Sequence, residues 1–346
     1  SLDVSGATAL TYLYCYNNQL TSLDVSNNTA LTYLYCNNNQ LTSLDLRNGN
    51  NLNMPNHNFT LNPNLYCINV DNPTFSTSNW ANIDPSSSFS YSCGVPQTYV
   101  PDNNFEQALI DLGLDNILDD SVTTANIDTV TILDVSGKSI ADLTGIEAFT
   151  ALTELYCGFN QLTSLDVSSN TALTELYCYN NQLTSLDVSG ATALNKLYCG
   201  SNLLDTLDVS SNTALTLLSC GVNQLTSLDV SSNPALTELR CGNNPLDTLN
   251  VSSNTALTEL YCFDNQLTSL DVSSNTALIG LVCYNNQLTS LDVSSNTALT
   301  QLYCENNQLT SLNVKNGNNT AFTSFYANNN PNLTCIEVDD VNYSTS

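Results

Sequence analysis

Three kinds of residue recur in this chain at spacings that could do chemistry. Cysteines fall at 157, 178, 199, 220, 241, 262, 283 and 304, and earlier at 15 and 36, with a constant step of 21 residues within each run. Glutamates stand one step apart as Glu154 with Glu175 and Glu238 with Glu259, and a second acidic series runs Asp24, Asp45, Asp166, Asp187, Asp208, Asp229, Asp271 and Asp292. A glutamate pair on neighbouring coils would approach the ~5 Å separation of retaining glycosidases. Any duplicated residue stands at that distance, however, and an open face encloses nothing that would split two carboxyl pKa values. Asp166, Ser168 and Asn170, with the equivalent Asp187, Asp208 and Asp229, offer oxygen ligands of the kind Ca²⁺ takes. Their spacing matches no complete calcium loop, so the competing reading is a ladder of solvated Asx turns. Zinc lacks a CxxC pair, and a nucleophilic triad lacks its base, since His57 is the only histidine. The reading is a protein with no catalytic residues, no cofactor and, at most, Ca²⁺.

The constant step means one supersecondary unit stacked on itself. Within a unit Leu155 and Cys157 alternate with Tyr156, so a two-residue period turns Leu and Cys inward and Tyr outward on a short strand. The ten in-register cysteines are then buried free thiols acting as small hydrophobes. Asn160 and its equivalents, among them Asn181, Asn202, Asn223 and Asn244, form an inward amide ladder that satisfies backbone groups where the chain leaves the strand.

The order Leu152, Leu155, Cys157, Asn160, Leu162 resembles the leucine-rich repeat, with cysteine in the third apolar place. The short unit and its LTSLDVS half look like bacterial surface repeats, such as those of internalins and of flavobacterial (Bacteroidota) secreted proteins. That resemblance implies a β-rich α/β leucine-rich-repeat solenoid, extracellular, secreted or anchored at a cell surface. The charge of −27, from 32 acidic and 5 basic residues, argues against nucleic acid or an anionic membrane as partner. No apolar run reaches the ~20 residues of a membrane span. Ser1 matches Ser22 and Ser185 inside the unit, so the chain reads as a piece of a longer protein.

Taken in order, residues 1–95 read as the end of one array with a closing module, and 96–346 as a second array. In the second, a capping helix over 102–113 precedes coils over 130–321 and a closing module over 322–346. The helix is expected from a cap at Asp102 or Asn103, from Phe105, Leu109 and Leu112 at helical spacing, and from Gly113 at the stop. It is the only helix expected. Residues 94–101, with two prolines, read as a semi-rigid linker. The two closing modules align so that Cys67 and Cys335 both face outward. Cys67 and Cys93 then make a disulfide that staples the last coil, as suits a secreted chain, and Cys335 is left unpaired.

The outward strand face is the most informative surface. The residue before each ladder cysteine is Tyr14, Tyr35, Tyr156, Tyr177, Tyr198, Tyr261 and Tyr303, but Ser219, Arg240 and Val282 elsewhere. Such a row can stack on sugars or anchor a protein, or it can simply pack across strands. Where otherwise identical coils differ, Lys196, Leu217, Ser219, Val222, Glu238, Arg240 and Glu259 cluster, and a discrete site is expected there. Ser121, Thr129, Thr206 and Thr248 sit in tripeptides that look like those O-glycosylated in Bacteroidota. The expected function is non-catalytic adhesion or recognition of a glycan or a protein on another surface. The alternatives are a structural spacer in a stalk or filament, meeting copies of itself, and, third, an ice-binding threonine face interrupted by Asp205 and Asp247.

Overall fold

The computed structural model describes residues 2–341 and divides into two compact units, at 96/97. In the first unit, Tyr12–Tyr14, Tyr33–Tyr35 and Asn56–Asn58 form one parallel sheet. Ser22–Asp24, Ser43–Asp45, Cys67–Asn69 and Ser88–Ser90 form another. Leu and Val side chains from both fill the space between them.

The last coil of this unit departs from the sequence expectation. A helix spans Pro73–Asn79, because Asn72 caps the Phe75 N–H and proline occupies the first helical turn. It delivers Trp80, buried against His57, Phe59 and Phe89, to the end of the core. Cys67 and Cys93 are disulfide-bonded, which ties this coil down.

The second unit opens with an antiparallel pair, Gln97–Tyr99 against Ser121–Thr123. This corrects the linker reading: Thr98 is buried within the pair, so residues 97–99 belong to the cap. The helix Asn103–Asp111 is capped by one Asp102 oxygen, while the other accepts from the Ala141 and Asp142 N–H groups and so ties helix to coil. Phe105 and Leu109 point into the core as expected, but Leu112 is 50% exposed, because the chain turns away at the C-cap. A third, four-residue helix, Thr124–Ile127, follows.

From Ile132–Asp134 to Ser324–Tyr326, ten three-residue strands form one parallel sheet, each in register with the next. Every inward position is filled. Leu155, Cys157 and Leu162, with their equivalents as far as Leu302, Cys304 and Leu309, are buried, each leucine contributing about 1.5–3 kcal/mol, whereas in the last strand Phe325 is 38% exposed. The ten ladder thiols are buried and free, and Cys335 is exposed.

Two asparagine ladders secure the turns. In the expected one, Asn202 donates to the Cys178 and Cys199 carbonyls and accepts from the Leu183 N–H. The other was not expected: Asn170, Asn212, Asn233, Asn254, Asn275 and Asn296 are fully buried, Asn212 donating to Val188 O and Ala191 O. A segment that looks like a solvated turn therefore holds the opposite corner of these coils, and Ala191 takes the same buried place in the coil between Asn170 and Asn212.

Candidate functional site

The strand face of the second unit carries a ladder of flat side chains, because parallel pairing sets each outward residue one strand spacing from its copy. Tyr156 stacks on Tyr177 with ring centroids 4.5 Å apart, and Tyr177 on Tyr198 at 4.7 Å, both pairs 10° from parallel. The Tyr156 and Tyr177 hydroxyls donate to Glu154 and Glu175 on their own strands. Lys196 donates to Glu175 at 2.8 Å, and this cation together with the Tyr177 hydroxyl holds the Glu175 carboxyl below its usual range. The Tyr177 phenol is pushed up, first by burial and then by the Glu175 carboxylate.

At Ser219 the ladder stops. Ser219 is paired with Tyr198 on one side and Arg240 on the other, and Arg240 with Tyr261. The Arg240 guanidinium is ion-paired with Glu238 and lies 5.1 Å from the Tyr261 ring centroid, in cation–π contact. Tyr261 in turn donates to Glu259, whose carboxyl is raised, chiefly by burial.

Beside this gap a second row is missing as well. Gly200, Gly221 and Gly242 occupy three consecutive coils at the position held by Tyr179 before them and Phe263 after them. A Cβ on Gly221 would stand 2.8 Å from the Gly242 carbonyl oxygen, so the coils here are closed onto a bare floor. The two absences join into a trough of about 600 Å³ lined by Tyr198, Ser219, Val222, Arg240, Tyr261 and Phe263, among others.

Val222 marks the trough in another way. It has φ 57° where most coils place asparagine, and it is 52% exposed. A β-branched residue in the left-handed region is strained, and strain of this kind gathers at functional sites.

The structure thus brings Lys196, Leu217, Ser219, Glu238, Arg240, Glu259, Tyr198 and Tyr261 onto one stretch of the face. Tyr156 and Tyr177 continue it on one side. Tyr303 is not part of it: beyond Val282 it stacks on Tyr326 at 5.0 Å. Sequence reasoning found the divergent patch but missed its glycine floor, whose signal was glycine after cysteine in consecutive coils.

The other candidates lie elsewhere. Asp166, Asp187, Asp208 and Asp229 each accept the N–H of the serine two residues on. Asn170, expected to join Asp166 around a cation, is instead turned inward and buried. Among the described residues no cluster of His, Cys, Asp and Glu is arranged to hold a metal. Thr129, Thr206 and Thr248 are exposed, Thr206 and Thr248 beside the carboxylates of Asp205 and Asp247, whereas Ser121 is half-buried and donates to Asp119. On the LTSL face, the Thr184 and Thr310 hydroxyls donate to carbonyls of the preceding coil.

A family model for leucine-rich repeats, in two copies, matches residues 8–48. Over 72 residues, 21% of the chain, the sequence is 40% identical to Internalin J of Listeria monocytogenes serotype 4b (strain F2365), of which it covers 8%. The solved functional domain of InlJ from Listeria monocytogenes, which includes a cysteine ladder, superposes on 70% of this chain with a TM-score of 0.61 and 36% identity; 62% of that domain is covered. The fold is a leucine-rich-repeat solenoid, similar to that of InlJ.

The chain spans less than two thirds of the length of either relative. Within the leucine-rich-repeat solenoid, the trough lies on the parallel strand face. Among the described residues no helix is long and apolar enough to cross a membrane.

Proposed function

We propose that the second unit is an extracellular, non-catalytic recognition module that binds a glycan or a protein through its strand face, with the trough at Ser219 as its contact site. The observation that carries this reading is local departure from an otherwise uniform repeat. Coils that could have continued the tyrosine ladder leave it open over Ser219 and expose a strained Val222. Nothing in the packing of the core asks for this, since Leu218, Cys220 and Leu225 beneath it are as buried as their copies. Similarity to the functional domain of InlJ supports the reading at the level of fold.

The test restores the repeat. Val222→Asn with Arg240→Tyr returns both positions to the residues common elsewhere in the array. The whole chain and this variant are screened side by side against an immobilised glycan array and a panel of extracellular protein domains. A ligand retained by the chain and lost by the variant, at equal melting temperature, supports the module. Equal retention by both overturns the assignment of the trough.

A spacer role is the second reading, and the ring stacks favour it. Where the ladder is continuous, ring faces cover one another and serve packing.

A further inference from the structure

The trough has the dimensions of a missing rung, and this deepens the recognition reading on which it rests. Tyr156, Tyr177 and Tyr198 stack at 4.5 and 4.7 Å, and beyond the gap Arg240 and Tyr261 stack again, the guanidinium leaning on the tyrosine at 5.1 Å. Ser219 lies between, one strand from each side. At a strand spacing of ~4.8 Å, the ring of Tyr198 and the plane of Arg240 stand about 10 Å apart. One flat ring fills that interval at the stacking distance seen everywhere else in the ladder.

The walls select the ring's chemistry. One wall is an aromatic face and the other a guanidinium, which attracts the negative face of a π-system. Arginine stacks on aromatic planes for the same reason. On the strands of Tyr156, Tyr177 and Tyr261 the tyrosine hydroxyl finds a carboxylate two residues back, as Tyr156 finds Glu154. On the Ser219 strand that place is Leu217, and the floor beside it is Gly221. A pyranose would bring a rim of hydroxyls to this apolar edge, whereas a phenyl ring needs no partner there.

Charge defines what carries the ring. Glu175, Glu238 and Glu259 outnumber Lys196 and Arg240 around the slot, and the whole chain carries −27. An approaching segment is favoured when it is basic. We infer that the slot over Ser219 takes the aromatic side chain of a basic segment on a partner protein, held between Tyr198 and Arg240.

The probe is a pair of synthetic peptides, Lys-Lys-Gly-Phe-Gly-Lys-Lys and its Leu counterpart, titrated into the full chain and followed by isothermal calorimetry. The Phe peptide is expected to bind about tenfold more tightly than the Leu peptide. Ser219→Tyr fills the slot from within the chain and, by completing the stack, keeps or raises the melting temperature; it should abolish the preference. Equal affinities for the two peptides, or a preference that survives Ser219→Tyr, overturns the ring slot. If the screened ligand is still lost in the Val222→Asn, Arg240→Tyr variant, recognition stands while the aromatic occupant falls. A neutral oligosaccharide retained by the chain and released by Ser219→Tyr assigns the slot to sugar and also overturns it. No retention of any peptide, domain or glycan removes both readings together.

Discussion

The rings of Tyr177 and Tyr198 lie 4.7 Å apart and 10° from parallel, and the strands beneath them dictate that distance. A ring inside the ladder has both faces covered, while Tyr198 has one face turned to the gap over Ser219. Tyr177→Ala removes two stacks and Tyr303→Ala removes one. At about 0.5–1.5 kcal/mol per stack, the first should lower stability by roughly twice as much as the second. Urea midpoints of the two variants check this, and equal losses would mean that the rings do not support one another.

Asn244 donates to the Cys220 and Cys241 carbonyls and accepts from the Leu225 N–H, all three buried. Asn244→Leu leaves these backbone groups without partners and should reduce stability by about 2–4 kcal/mol. Its neighbour Asn243 is exposed at φ 56°, and Asn243→Gly, which tolerates that backbone, should change little. Thermal melts of the pair separate an inward amide from a turn residue one position away.

In the cap of the second unit, burial pushes the Asp115 carboxyl up from 3.8 to about 6, with repulsion from Asp119 and Glu106 adding to it. A folded-state value above the unfolded one means that folding favours the neutral acid. That contribution is complete below pH 3.8 and is lost as the pH rises through about 6. Asp115→Asn should therefore stabilise the unit by about 1 kcal/mol above pH 6, after allowing for its partial exposure, and not at pH 3.5. Melting curves at the two pH values decide it; a gain of equal size at both would rule out titration as the cause.

Cys335 is exposed, while the ladder thiols are buried and burial pushes several, such as Cys157 and Cys220, up to about 12. Thiolate is the reactive form, so a maleimide should label one site rapidly in the native chain and the ladder only after denaturation. Mass spectrometry counts the adducts, and early labelling of Cys220 would show that the coils open over the trough.

The carboxylates of Asp166, Asp187, Asp208 and Asp229 are already engaged by serine N–H groups. Chelation with EDTA should leave the melting temperature where it was. A fall of several degrees would establish a bridging cation.

Periodicity made the core readable. Leu155, Cys157 and Asn160 recur with every coil, so their inward direction follows from alternation alone. The buried row from Asn170 to Asn296, interrupted at Ala191, recurs at the same step, yet it lies in Ser-Ser-Asn, which local chemistry reads as a solvated turn. What makes it interior is the neighbouring coil's carbonyls, which only stacking supplies. The strand Gln97–Tyr99 was hidden for the opposite reason. It lies outside the repeat between prolines, and its partner Ser121–Thr123 is reached through a helix. The helix Pro73–Asn79 did carry a signal, asparagine followed by proline, but it is seven residues long and polar on most of its length, so it shows no apolar periodicity. The patch around Arg240 was legible because identical coils make any difference conspicuous.

Successive coils are joined by short rows of backbone bonds, such as Thr174 N–H to Thr153 O, 21 residues away. Under tension on its ends, such a stack is loaded at its terminal coil, where one row gives way before the next is strained. Each coil of 21 residues released adds about 7 nm of contour length. In the first unit the bond between Cys67 and Cys93 keeps the loop between them out of that extension. A chain repeating to one period would thereby lengthen under load in equal steps, the remaining coils keeping their own bonds.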